Sequence, residues 1–217
     1  MDLDNLYKDL GFALHGLWLH EFLFALRPPE GATVLEPGCG SGKMGIHYAL
    51  RGAKETVLID IDPSMVEYAT RLSKATAALA GRKLGIAILE GSIFHLPYAD
   101  NTFDLVFNEG IPHHWPDEER RQGSIDAMAR VSRGWVCVIG SNALCPETMK
   151  MAESVSHTYA GMPPKQKPFT PEELSERLKK AGLVKVEVVP ALGSSWTEST
   201  LIVGWGRKNE SYFLTGT

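Results

Sequence analysis

Cysteine is scarce in this chain. Its 217 residues hold three, Cys39, Cys137 and Cys145, too few and too scattered for a disulfide framework or a zinc cluster. A reduced, cytoplasmic setting is the expectation. Positive charge is not in excess either: 22 Lys and Arg stand against 26 Asp and Glu, a net charge of -4. That excludes a nucleic-acid binder working by broad phosphate neutralisation, though not one small basic cleft. The apolar run Phe12–Leu26 is broken by His15, His20 and Glu21, so no membrane span is expected, nor is a secretory signal. Repeats, low-complexity tracts and linkers are missing too, which leaves one domain over residues 1–217. A chain of this length buries roughly 70% of its unfolded surface.

What is present centres on Val34-Leu35-Glu36-Pro37-Gly38-Cys39-Gly40-Ser41-Gly42. Two apolar residues end a buried strand, an acid closes it, and three glycines at alternate positions turn the chain into a helix over Met44–Arg51. Glycine admits the unusual dihedral angles of such a turn and lets a ligand approach the main chain. The free N–H groups of the helix start face the same loop. This is a nucleotide-binding strand–loop–helix. The dinucleotide fingerprint G-x-G-x-x-G wants a third glycine where Lys43 stands, and a pyrophosphate would be repelled by Glu36, whereas a cationic amino-acid ligand would be attracted. A second strand, Thr56–Ile59, ends in Asp60 about twenty residues on, where a carboxylate can accept from both hydroxyls of a ribose. Asp62-Pro63 then reads as N-cap and first helical residue.

Further strands are expected at Ile86–Leu89, Leu105–Phe107, Trp135–Ile139, Val184–Val189 and Leu201–Trp205, and helices over Asp117–Ser132 and from Thr170 to Lys180. Thr170-Pro171-Glu172-Glu173 is a capping box. Cys145–Pro168 is the least patterned stretch. Ligands of open α/β sheets bind at the carboxyl ends of strands, so Asn108-Glu109-Gly110-Ile111-Pro112-His113-His114-Trp115, which follows the fourth strand, is placed for chemistry. Glu109, His113 and His114 are the candidate catalytic groups, with one histidine expected to pack. Adjacent histidines do not share a helix face, so no metal is expected. Asp104 reads as structural.

At Glu36–Gly42 the sequence resembles the first motif of class I S-adenosylmethionine-dependent methyltransferases, E/D-x-G-x-G-x-G, whose loop wraps the methionine part of the cofactor. Asp60-Ile61-Asp62-Pro63-Ser64-Met65 resembles their second motif. The resemblance covers residues 32–207 and lies nearest the small-molecule, quinone-biosynthesis-like group. It implies an α/β Rossmann-like, doubly wound, mostly parallel seven-stranded sheet with an antiparallel last strand. It also implies S-adenosylmethionine as cofactor, held by Glu36, Gly38, Cys39, Gly40, Gly42, Asp60, Ile61, Met65, Ser92, Ile93 and the backbone carbonyl of Asn108. Ser92 departs from the family's aspartate and supplies a hydroxyl instead. The segment before the core, residues 1–30, is expected to be a helical lid, with Tyr7, Trp18 and Trp115 against the acceptor. The function implied is methyl transfer to a small molecule, without nucleic acid as partner. A cofactor-binding protein without methyltransferase activity, or an NAD-dependent oxidoreductase, stay open as alternatives.

Overall fold

Buried apolar runs such as Val34-Leu35, Val57–Ile59 and Leu105–Phe107 suit a parallel sheet covered on both faces, and that is how the chain folds. The computed structural model describes residues 21–154, 166–191 and 195–209. Strands β1 (Thr33–Pro37), β2 (Glu55–Asp60), β3 (Ile86–Glu90), β4 (Phe103–Glu109), β5 (Ser132–Ser141), β6 (Val184–Pro190) and β7 (Leu201–Arg207) form one sheet in the order β3-β2-β1-β4-β5-β7-β6. The first five pair in parallel; β7 runs antiparallel between β5 and β6. The expected fold class is thus the observed one.

Helices α1 (Lys43–Leu50), α2 (Pro63–Leu79), α3 (Glu118–Val131), α4 (Pro146–Ser154) and α5 (Pro171–Lys180) cover the two faces. On one face Ile125 and Met128 of α3 and Leu174 and Leu178 of α5 pack on Leu35, Val106 and Val136. On the other, Tyr48 of α1 meets Leu23, Phe24 and Phe107. The capping residues act as read: Asp62 accepts from the Ser64 amide at 2.8 Å, and Thr170 from the Glu173 amide at 3.1 Å.

Some boundaries differ from the sequence reading. β4 extends through Glu109, which pairs with Ile139, and β5 spans ten residues, because pairing of Ser132 with β4 and of Gly140 with β7 outweighs their weak strand propensity. The unpatterned stretch after Cys145 contains α4. Residues 21–26 are helical, and Leu23, Phe24 and Leu26 are core, so this end of the expected lid is packed into the domain. Tyr7, His15, Trp18 and His20 lie outside the described residues. Asp104 is structural: its carboxylate accepts from the Thr33 amide at 2.8 Å and from Arg133 at 3.0 Å, at the sheet edge opposite the carboxyl ends.

Candidate functional site

Strand order reverses between β1 and β4, which opens a crevice beyond the carboxyl ends of the strands. A cavity of about 380 Å³ occupies it. Glu36 from β1, Asp60 from β2 and Glu109 from β4 all line it, so three strands deliver one carboxylate each to one space.

The loop after β1 is built from close approaches. Gly38 has φ +72°, and a Cβ there would sit 2.4 Å from Ile111. Its amide and that of Cys39 donate to the Ile59 carbonyl at 2.6 and 3.0 Å, tying the loop to β2. Helix α1 comes down on the sheet at Gly45, where a Cβ would meet Leu58 at 2.3 Å and Glu36 at 2.9 Å. Gly45 therefore does the helix-on-strand packing that the fingerprint would assign to position 43. Its amide donates to Glu36 at 2.9 Å. Burial pushes the Glu36 carboxyl well above the usual carboxylate range; the Gly45 bond opposes this, and Glu109 and Asp60 add to it.

Asp60 is buried and double-bonded to the main chain: it accepts from the Gly40 amide at 2.7 Å and the Asp62 amide at 2.9 Å. Each carboxylate oxygen keeps a further lone pair, so the same side chain can shape the loop and still accept from a diol. Ile61 is 51% exposed although apolar, and with Met65, Ser92 and Ile93 it lines the cavity. A Cβ on Gly40 would meet nothing within 4 Å, which leaves the loop's open side to the cavity.

Two expected cofactor residues stand elsewhere. Gly42, φ +71°, abuts Leu58 and Ala69 and packs the start of α1. Asn108 is fully buried; its side chain donates to the Pro37 carbonyl at 2.5 Å and accepts from the Ile111 amide at 3.1 Å. It joins the ends of β1 and β4 and is not among the lining residues.

The 3₁₀ turn Pro112–His114 separates its two histidines. His114 lines the cavity, and burial holds its imidazole below the usual range. His113 points into the protein, where its Nδ1 accepts from the Ser141 amide at 3.2 Å. Burial, with His114 and Arg121 beside it, brings its pKa down to about 3. It is neutral packing beyond reach of the cavity, and the expectation of a catalytic His113 is corrected on that ground. Glu109 stands on the rim: its side chain meets solvent yet is crowded by the concave wall, which holds its carboxyl above the ordinary range against the pull of Lys43. Trp115 lines the cavity with Phe94 edge-on at 5.5 Å.

Sequence reasoning missed Phe94, Ile111 and Ser41 as lining residues. It also missed Arg121, which is fully buried behind the turn. Its guanidinium donates to the Lys167 carbonyl at 2.6 Å and to Glu173 at 2.8 Å, reaches the Trp115 carbonyl at 3.5 Å and lies 4.0 Å over the Phe169 ring. The Lys167 amide in turn donates to the His113 carbonyl at 2.7 Å.

A family model described as "Methyltransferase domain" matches residues 35–137, from β1 into β5. Over this stretch the chain is similar to methyltransferases. The domain is 27% identical over 166 residues to the ubiquinone biosynthesis O-methyltransferase of Rhizobium johnstonii, covering 72% of this chain and 62% of that protein. It is 29% identical over 113 residues to the probable tRNA methyltransferase 9B of Mus musculus, covering 52% of this chain and 22% of that protein. The chain thus spans less than two thirds of the length of either. In fold, the chain superposes on magnesium protoporphyrin IX methyltransferase of Synechocystis with bound SAH, at a TM-score of 0.67 and 15% identity over 92% of this chain and 84% of the other.

Proposed function

We propose that this protein transfers the methyl group of S-adenosylmethionine to a small-molecule acceptor by direct in-line displacement. The observation that carries the reading is the convergence of Glu36, Asp60 and Glu109, from three adjacent strand ends, on one cavity of about 380 Å³. The volume is that of a small-molecule site. The residues also fit the cofactor: carboxylates for its ammonium and ribose groups, an open glycine loop, and the exposed Ile61 for a flat base. When bound, the cofactor supplies an already activated methyl carbon. The chain has to hold it, aim an acceptor from the opposite side and keep water out. Glu36 holds the amino-acid end and Asp60 the ribose. Ile61, Met65 and Ile93 enclose the base, with the Ser92 hydroxyl as its polar contact. Glu109, His114 and Trp115 face the acceptor.

A polyanionic acceptor such as tRNA is disfavoured by the lining, which carries Glu36, Asp60, Asp62 and Glu109 and, among the described residues, no Lys or Arg. Tyr7 and Trp18 belong to the same proposal as acceptor contacts. Deleting residues 1–20 is expected to lower turnover more than cofactor affinity; an equal loss of both, with a lowered melting temperature, would make that segment ordinary core. The activity itself is tested by counting radiolabelled methyl groups moved onto phenols, amines, thiols and bulk tRNA, beside calorimetric titration of S-adenosylmethionine and NAD. Transfer to tRNA alone, or tight NAD binding without S-adenosylmethionine binding, would overturn the reading.

A further inference from the structure

The acids of the cavity differ in how they are occupied. Glu36 accepts from the Gly45 amide, Asp60 from those of Gly40 and Asp62, and Asp62 from that of Ser64. Glu109 accepts no hydrogen bond and makes no ion pair within 4 Å among the described residues; Lys43 acts on it only through space. It is the last residue of β4, beside the switch point, and its carboxylate is the acid the fold leaves for something brought in from outside.

The wall next to it is aromatic. Trp115 and Phe94 meet edge-on at 5.5 Å, and Trp115 already holds the Arg120 guanidinium 5.1 Å from its ring centre, the arrangement by which an indole attracts a cation. His114, kept neutral by burial, adds no positive charge to the space. An anionic acceptor would face carboxylates with no countercharge in the described lining. An alcohol would leave Glu109 with only the through-space pull of Lys43 and no charged partner in contact. A protonated amine meets both features: an ammonium for the carboxylate and a cation for the rings.

We propose that the acceptor is a primary or secondary amine, recognised and deprotonated by Glu109 and packed against Trp115 and Phe94; this rests on the methyl-transfer reading above. The ammonium arrives paired with Glu109 and passes a proton through it to solvent, which leaves Glu109 ionised again and frees the nitrogen lone pair. That lone pair forms the new N–C bond as the S–C bond breaks, and the bonding electrons go to sulfur, which becomes a neutral thioether. The methylated nitrogen sheds a further N–H proton to the Glu109 carboxylate and from there to solvent. Nothing is oxidised or reduced. The crowding that raises the Glu109 carboxyl makes it a better proton acceptor at neutral pH, in line with the usual tuning of a general base.

The test begins with binding to the full chain, independent of turnover. Phenethylamine and tryptamine are titrated calorimetrically against the protein, beside the near-isosteric 2-phenylethanol and 3-phenylpropionate. The amines should bind at least tenfold more tightly than either control. Glu109→Gln, which keeps the shape, should erase that preference, leave S-adenosylmethionine affinity within twofold, and stop methyl transfer to the amines. Equal or tighter binding of the alcohol or the carboxylate, an amine affinity unchanged in Glu109→Gln, or transfer only to oxygen, carboxylate or RNA acceptors would overturn the amine assignment while leaving methyl transfer standing. A protein that binds the amines but not S-adenosylmethionine would instead overturn the underlying reading.

Discussion

On one side of the β1–β4 switch, carboxylates are held by main chain. Glu36 and Asp60 between them accept from the amides of Gly45, Gly40 and Asp62, and the loop they shape is closed by Gly38 against Ile111. On the other side, main chain is held by a side chain. The carbonyls of Trp115 and Lys167 converge on the guanidinium of Arg121, which is anchored in turn by Glu173. A site made from backbone amides is rigid because few atoms can move. A wall hung on one buried cation is only as firm as that cation's partners. This contrast suits a protein with an unvarying cofactor and an acceptor-specific wall.

The sharpest way to break the contrast is Arg121→Met. Removing a fully buried, paired charge leaves Glu173 with Arg177 as its remaining described partner and two carbonyls without their donor. The expected loss is about 3–5 kcal/mol of stability by denaturant titration. S-adenosylmethionine affinity of the folded protein should stay within about twofold. A comparable loss of cofactor affinity would show that the two sides are one mechanical unit.

The counterpart on the cofactor side is Gly45→Ala. Its Cβ falls 2.3 Å from Leu58 and 2.9 Å from Glu36, so α1 must lift or Glu36 must move. Overpacking of this kind costs about 1–3 kcal/mol, and cofactor affinity should fall with stability. An alanine variant with wild-type affinity would separate Glu36 from cofactor binding.

A smaller effect comes from His113. Its imidazole is depressed to about 3 in the folded protein against roughly 6.5 when unfolded. A depressed histidine adds stability that is present above the unfolded value and lost as pH falls. Between about pH 6 and pH 3 the decline should reach about 1.4 kcal/mol per pH unit from this residue. His113→Asn keeps an acceptor for the Ser141 amide and should remove that part of the slope. Identical slopes in both proteins would mean that the imidazole is charged in the fold.

The same contrast explains what could be read from sequence. Glu36, Gly38, Gly40 and Asp60 were legible because a backbone site leaves a local signature of glycines and an acid at fixed spacing. The seven-stranded, mostly parallel sheet with an antiparallel last strand followed from the resemblance, and the caps at Asp62 and Thr170 from local chemistry. Arg121 was not legible: its partners lie 46 and 52 residues away, and an arginine in a helix of mixed charge reads as surface. The two histidines could not be told apart for a related reason. Only the path of the 3₁₀ turn decides which imidazole enters the cavity. Gly45 was overlooked because the fingerprint directed attention to position 43.

The central claim, that these strand-end acids form an S-adenosylmethionine site with the ribose on Asp60, is tested most directly by calorimetry of S-adenosylmethionine with wild-type protein, Asp60→Ala and Glu109→Gln. Asp60→Ala removes charged hydrogen bonds worth about 1.5–3 kcal/mol, so the account predicts an affinity about 10- to 150-fold weaker, with Glu109→Gln unchanged. Equal binding by wild type and Asp60→Ala, or a loss confined to Glu109→Gln, would contradict it.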